Sequence, residues 1–128
     1  MESIALTNLL EGMRILVLED EFLIAMDVEQ QCRDHGAADV RIARAVDEVD
    51  PSTIASEIDA AILDVMLGGS STLDLADVIG QQGVPFVFAS GYSDLGAIST
   101  RFPGVTVVGK PYAGDDLINA LAKACGRL

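Results

Sequence analysis

The chain has 128 residues, with 8 Lys and Arg against 20 Asp and Glu, which gives a formal net charge of −12. This length allows one domain. Half of the residues are apolar and only 5% are aromatic, so the composition is that of a globular protein whose core consists mainly of Ala, Val, Ile and Leu. The negative charge repels phosphate backbones and anionic lipid headgroups. We therefore expect neither a nucleic-acid partner nor a membrane partner.

The two cysteines and the single histidine carry no metal or disulfide pattern. Cys32 and Cys125 lie far apart, without a CxxC spacing, which argues against a zinc site and a disulfide framework. Both are expected in the core on apolar helix faces, and His35 is expected to be structural at a helix end. No run reaches the 18 or so apolar residues of a membrane span, and residues 1–12 do not resemble a signal peptide. These features predict a reduced, cytoplasmic chain.

Short apolar runs alternate with helical patterns along the chain, which is typical of parallel strands joined by crossover helices. Strands are predicted at residues 13–18, 40–43, 60–63, 84–89 and 105–108. Helices are predicted from residue 22 to a stop at His35 and Gly36, and at residues 47–58, 72–82 and 115–125; residues 91–103 should hold only a short or mobile helix. The predicted fold is an α/β, doubly wound (βα)5 parallel sheet of flavodoxin type, with strand order 2-1-3-4-5.

The predicted domain covers residues 13–128 and is preceded by an N-terminal extension, residues 1–12. Leu6, Leu9 and Leu10 give this extension an apolar character. It could form a short extra helix against the domain or against a partner.

Polar side chains follow four of the five predicted strands, at the edge where an open parallel sheet places its site. In strand order, these residues are Glu19 and Asp20, then Asp64, then Ser90 and Gly91, and finally Lys110 before Pro111. Each group alone has a structural interpretation, because acids complement helix N-termini, Ser-Gly pairs form turns, and most lysines are solvated. Their joint occurrence at successive strand ends favours a functional site.

The residue types at this edge indicate a particular chemistry. The carboxylates of Glu19, Asp20 and Asp64 would repel one another unless a cation lay between them, and ligands that are all oxygen suit Mg²⁺. The backbone carbonyl of Met66 is expected near that cation. An ammonium and a hydroxyl can bind phosphoryl oxygens, so the set describes a carboxylate that accepts a phosphoryl group.

Four segments carry a resemblance to a known family: ILVLEDE at 15–21, AAILDVML at 60–67, FASGY at 88–92 and GKPY at 109–112. With these motifs, the chain resembles the receiver domain of bacterial two-component response regulators. The resemblance implies Asp64 as phosphoacceptor, Glu19 and Asp20 as the acidic pair, and the Met66 carbonyl as a Mg²⁺ ligand. It also implies Ser90 as a switch hydroxyl, Lys110 as the phosphoryl-binding lysine and a cis peptide bond before Pro111.

The segment PFVFASGYSD at 85–94 is similar to a subgroup of stand-alone receivers that have a Phe-Ala-Thr-Gly-Tyr signature, with Ser90 here in place of Thr. Many receivers have an aromatic switch residue three positions before the lysine, where this chain has Val107. An aromatic ring at that place therefore cannot carry the output, and Tyr92 is a candidate substitute. A weak fourth helix is also typical of this subgroup.

The resemblance implies a stand-alone response regulator that takes a phosphoryl group from a histidine kinase or histidine phosphotransferase. The reaction would depend on Mg²⁺, and the output would pass through contacts with a downstream protein that the sequence does not identify. It implies no enzyme activity beyond self-catalysed phosphotransfer and autodephosphorylation. A phosphate sink or relay, and a receiver-like binding module that is not phosphorylated, remain alternatives. A haloacid-dehalogenase-like phosphatase is disfavoured, because that family needs a second Asp where this chain has Met66.

Overall fold

The structure is a computed structural model that describes residues 8–90, 95–110 and 115–128. The strands are β1 (Arg14–Leu18), β2 (Asp39–Ala43), β3 (Ala60–Asp64), β4 (Met66–Leu67), β5 (Ser70–Ser71), β6 (Phe86–Ser90) and β7 (Val107–Gly109). The helices are α1 (Phe22–Asp34), α2 (Ile54–Glu57), α3 (Leu73–Gln81), α4 (Leu95–Arg101) and α5 (Asp116–Ala124). None of the helices in this described part is long and apolar enough to cross a membrane.

Five strands form one parallel sheet in the order β2-β1-β3-β6-β7. The register places Val17 beside Ile42 and Ile62, and Val87 beside Ile62. This order is 2-1-3-4-5 when only the strands of the main sheet are counted. The predicted doubly wound, flavodoxin-like fold is therefore confirmed.

The sheet is covered on both faces, as the alternation of side chains along each strand requires. One core contains Leu16, Leu63 and Phe88 from the strands, with residues of α2, α3 and α4. The other contains Val17, Ile62 and Val87, with residues of α1 and α5. Because every central strand is buried on both faces, the polar residues at the strand ends are held on a rigid base.

Residues 8–12 pack against the sheet face that α1 and α5 cover. Leu9 and Leu10 are buried there, and the Leu10 N–H donates to the carbonyl of His35 over 2.9 Å. Gly36 has a φ of +90°, and a Cβ at this position would lie 3.1 Å from Glu11 Cα. Glycine is therefore needed both for the turn that ends α1 and for the close approach of this segment.

His35 and the two cysteines lie where the sequence predicted. His35 is buried at the C-terminal end of α1, with Nε2 3.7 Å from Asp115 Oδ1. Cys32 lies on α1 and is buried in the core, while Cys125 is half-buried just after α5 and packs against that core. Burial raises the pKa of the Cys32 thiol to about 12, which keeps it protonated and unreactive.

The predicted helix at residues 47–58 is wrong in its length. The structure has a 3-10 turn at Val46–Glu48 and only one helical turn in α2. Asp50 Oδ1 accepts hydrogen bonds from both the N–H and the hydroxyl of Ser52, which stabilises a turn in place of a helix. Pro51 adds to this effect, since a proline disfavours helical backbone at the residue before it.

The other elements agree with the prediction more closely. The helix α4 has seven residues, which confirms the expectation of a short fourth crossover helix. Asp64 and Ser90 are the last residues of their strands, one position beyond the predicted ends. The antiparallel pair of β4 and β5, joined by Gly68 and Gly69, was not predicted.

Candidate functional site

Three carboxylates from two strand ends come together at one edge of the sheet. Glu19 and Asp20 follow β1, and Asp64 ends the neighbouring strand β3. One ligand oxygen from each residue lies within 4.8 Å of the others. Glu19 and Asp64 are buried and Asp20 is half-buried. Carboxylates this close to one another repel, so a cation is needed to hold them together.

Lys110, which follows β7 on the far side of β6, supplies one cation. Its Nζ donates to Glu19 Oε1 over 2.9 Å and to Asp64 Oδ2 over 2.8 Å. The lysine side chain is 22% exposed, whereas those of Glu19 and Asp64 are only 3% and 11% exposed. Three carboxylates and one ammonium leave a net charge of −2 in their ionised forms, which favours the binding of a divalent cation.

The Asp64 carboxyl group is under opposing influences. Burial has the largest effect and raises its pKa, and the charge of Glu19 adds to this. The hydrogen bond and charge of Lys110, with a hydrogen bond from the Met66 backbone, act in the opposite direction. Burial prevails, and the pKa of Asp64 lies above its ordinary value.

Backbone donors fix the other two carboxylates. The Gly68 N–H, in the turn between β4 and β5, donates to Asp20 Oδ2 over 3.0 Å. The Glu21 N–H donates to Glu19 Oε2 over 3.1 Å. Each carboxylate therefore has a second oxygen or lone pair available for a metal ion while its orientation is held by the backbone.

The remaining predicted residues are placed only in part. Ser90 is buried at the end of β6, in register with Gly109, and its carbonyl accepts from the Lys110 N–H over 3.0 Å. Met66 follows Asp64 by two residues, with a side chain that is 43% exposed. Gly91, Tyr92 and Pro111, including the expected cis peptide bond, lie outside the described residues.

Sequence reasoning missed two features that support the site. One is the β4–β5 hairpin, whose Gly68 contacts Asp20; the Gly-Gly pair between two short strands was the available signal. The other is Thr72, which is fully buried and donates its hydroxyl to the Asp64 carbonyl over 2.7 Å. A threonine before a helix is typical of an N-cap, so its sequence gave no sign of this contact.

The raised pKa of Asp64 predicts a specific pH dependence of stability. A carboxyl group whose pKa is higher in the folded state than in the unfolded state favours folding at low pH, and this contribution is lost as pH rises through the folded-state pKa. In chelator, the free energy of unfolding of Asp64→Asn should therefore increase relative to wild type between about pH 4 and neutrality. Urea unfolding at several pH values measures this difference.

Asp59→Asn is the matched control for this experiment. Hydrogen bonds from Arg14 hold the pKa of Asp59 below its ordinary value, so ionised Asp59 stabilises the fold and this contribution is lost only as pH falls through about 4 and below. Its replacement should therefore leave the difference from wild type nearly constant between about pH 5 and neutrality. Equal slopes for the two variants would contradict the proposed environment of Asp64.

Comparison with solved structures places this architecture among receiver domains. A putative response regulator from Chloroflexus aurantiacus J-10-fl matches with a TM-score of 0.76 at 22% identity, over 91% of this chain and 99% of that one. A response regulator receiver protein from Sinorhizobium medicae WSM419 gives a TM-score of 0.77 at 23% identity, over 93% and 99%. The structure thus matches response regulator receiver domains over most of the chain, and it has their fold.

A larger protein gives a match at somewhat higher identity. The response regulator PhyR from Brucella abortus is 27% identical, with a TM-score of 0.69 over 98% of this chain. The chain spans about half of that protein, since the match covers 51% of PhyR. No protein-family model and no curated protein matches the sequence.

Proposed function

We propose that the protein is a response regulator receiver that accepts a phosphoryl group on Asp64 from a histidine kinase or histidine phosphotransferase, in a reaction that depends on Mg²⁺. The observation that carries this proposal is the position of Lys110, whose ammonium binds Asp64 and Glu19 together inside a cluster of three carboxylates. The proposed unit is a receiver domain at residues 13–128 with an N-terminal extension, residues 1–12.

The donor set fits Mg²⁺. This ion prefers oxygen ligands and keeps several of its waters, so it needs only one or two carboxylates and a few further oxygens. Asp20 and Asp64 would bind it directly, Glu19 directly or through water, and the Met66 carbonyl would complete the protein ligands. When bound, the ion would offset negative charge on the transferred phosphoryl oxygens.

In the proposed transfer, an oxygen of the Asp64 carboxylate attacks the phosphorus of phosphohistidine. The new O–P bond forms as the N–P bond breaks, and the electron pair of that bond returns to the imidazole ring. Lys110 moves one of its N–H donors from the carboxylate to a phosphoryl oxygen, which stabilises the charge that develops there. Because only the ionised carboxylate is a nucleophile, the raised pKa of Asp64 would shift the loss of this reaction in acid to a higher pH than for an ordinary aspartate.

Output would follow from the new phosphoryl charge. Ser90 ends β6 next to the site and would donate a hydrogen bond from its hydroxyl to a phosphoryl oxygen. This movement would pull the segment that connects β6 to α4. Gly91 and Tyr92, which follow Ser90 in the signature, are proposed to take part in this switch, with Tyr92 as the candidate switch aromatic. The partner that reads the change would be a protein of the cytoplasm. The phosphoryl chemistry would be confined to self-catalysed transfer and autodephosphorylation.

Phosphorylation by a small donor tests the proposal without the natural kinase. Incubation with acetyl phosphate and Mg²⁺ should add the mass of one phosphoryl group to most molecules, as measured by intact-mass spectrometry. The same incubation with chelator should add none. An unchanged mass in both incubations, from protein that is folded by circular dichroism, would contradict the proposal.

A further inference from the structure

We propose that Thr72 is a positioning residue for Asp64: its buried hydroxyl holds the Asp64 peptide group at the end of β3 and so aims the carboxylate at Lys110 and the acidic pair. The inference rests on the proposed function and adds to it a residue outside the charged cluster. The Thr72 side chain is fully buried, and its Oγ1 lies 2.7 Å from the Asp64 carbonyl oxygen and 3.2 Å from that of Val65.

The hydrogen-bond pattern of β3 explains why Asp64 needs a donor from outside the sheet. The Val65 N–H still donates to the Ala89 carbonyl of β6, but the Val65 carbonyl accepts from the Thr72 N–H, so the strand pattern of hydrogen bonds ends at this residue. The carbonyl oxygens of Asp64 and Val65 both lie near the Thr72 hydroxyl, so they do not alternate as the carbonyls of a regular strand do. The pairing of β1 with β3 ends at Leu18 and Leu63. The Asp64 carbonyl lies one residue past that point, and it accepts a hydrogen bond from the Thr72 hydroxyl.

The hydroxyl of Thr72 does not have the role that its place in the sequence indicates. Thr72 precedes the first residue of α3, but its side chain makes no capping hydrogen bond. Ser71 Oγ instead accepts from the Leu73 N–H over 3.2 Å. The neighbouring serine thus accepts at the start of the helix, while the Thr72 hydroxyl donates its proton at the end of the strand.

Two backbone hydrogen bonds make Thr72 a fixed support for this contact. Its N–H donates to the Val65 carbonyl over 2.9 Å, and its own carbonyl accepts from the Ala76 N–H in the first turn of α3 over 2.9 Å. The donor is thus anchored both to the residue that follows β3 and to α3. Loss of the hydroxyl would leave a buried carbonyl without this partner and free the peptide group that carries the nucleophile to rotate.

Three substitutions separate the hydroxyl from the packing of the side chain. Thr72→Ser keeps the hydroxyl without the methyl group, Thr72→Ala keeps neither, and Thr72→Val keeps the methyl group alone. With acetyl phosphate at saturating Mg²⁺, the limiting rate should fall about 10- to 100-fold in the Ala and Val variants and stay within about twofold of wild type in the Ser variant. The half-saturating acetyl phosphate concentration should not change, because Thr72 does not touch the donor.

Mg²⁺ affinity, measured by calorimetry without any phosphoryl donor, should fall about tenfold in the same two variants and not in Thr72→Ser. Ser56→Ala is the control, since it removes an exposed hydroxyl that also lies 2.7 Å from a backbone carbonyl, in α2. It should change neither quantity. Urea unfolding shows which variants are folded, and the Ser and Ala pair carries the test if Thr72→Val does not fold.

Equal rates and affinities in the Ser and Ala variants would overturn the inference, whether both match wild type or both fall. A wild-type protein that binds Mg²⁺ but takes no phosphoryl group would refute the proposed function. In that case the Mg²⁺ affinities of the Thr72 variants would still test whether Thr72 positions Asp64. A wild-type protein that does neither would overturn both.

Discussion

Asp64→Asn is expected to lose phosphorylation by acetyl phosphate completely, with a rate at least about 10³-fold below wild type. The amide has nearly the same shape as the carboxylate and can still accept from Lys110, but it is not a nucleophile and carries no charge for Mg²⁺. Time courses of intact mass at saturating Mg²⁺ measure the loss. The fold should persist, since the replaced carboxyl group is one that burial disfavours in its ionised form.

Asp39→Asn is the matched control for this variant. Asp39 is exposed at the first residue of β2, and the first residues of parallel strands lie at the opposite edge of the sheet from Asp64. Its phosphorylation rate should equal that of wild type. A folded Asp64→Asn protein that takes a phosphoryl group at the wild-type rate would place the acceptor elsewhere.

Lys110→Gln is expected to slow phosphorylation about 10²- to 10³-fold while Asp64 remains intact. Glutamine can donate a hydrogen bond but cannot offset the charge on the phosphoryl oxygens. In chelator this variant should also be less stable than wild type, because Glu19 and Asp64 lose the ammonium that both of them bind. Rates and urea unfolding midpoints measure the two effects.

The only other lysine of the chain provides the control. Lys123 is exposed on α5, and Lys123→Gln removes the same charge away from the carboxylates. Its rate and stability should stay close to wild type. If both glutamine variants slowed the reaction equally, the effect of Lys110 would be one of overall charge and not of its contacts in the site.

The strands and the carboxylate cluster could be predicted because their signals are local and repeated. Buried parallel strands require continuous apolar runs, and the carboxyl ends of those runs meet at one edge. The proximity of Glu19, Asp20 and Asp64, and the placement of Lys110 beside them, follow from strand order alone. This is why residues 91 apart in the chain, Glu19 and Lys110, could be expected at one site.

The features that sequence reasoning missed depend on competition between local interactions. Between residues 47 and 58 the apolar spacing favours a helix, but Asp50 and Ser52 form a turn that ends it before it can grow. Thr72 was expected only as the first residue of the helix predicted at 72–82, whereas tertiary packing places its hydroxyl beside the end of β3. Local sequence preferences show which of these structures are possible, but the contacts of the folded chain determine which one forms.

The net negative charge of the chain can now be assigned to the site and to the other residues. Of the 20 acidic residues, three form the cluster, and only Lys110 among the basic residues contacts it in the described part of the chain. The other acids that the structure describes do not belong to this cluster, so the net charge of −12 comes chiefly from residues outside it.

Locating the phosphoryl group on the wild-type chain decides whether Asp64 is the acceptor. Borohydride reduces an aspartyl phosphate to homoserine, and peptide mass spectrometry of the reduced protein shows which acidic residue has changed. Conversion of Asp64 alone is expected, and only in samples that received both acetyl phosphate and Mg²⁺. Conversion at Glu19, Asp20 or any other acidic residue, or no conversion in folded protein, would contradict this assignment.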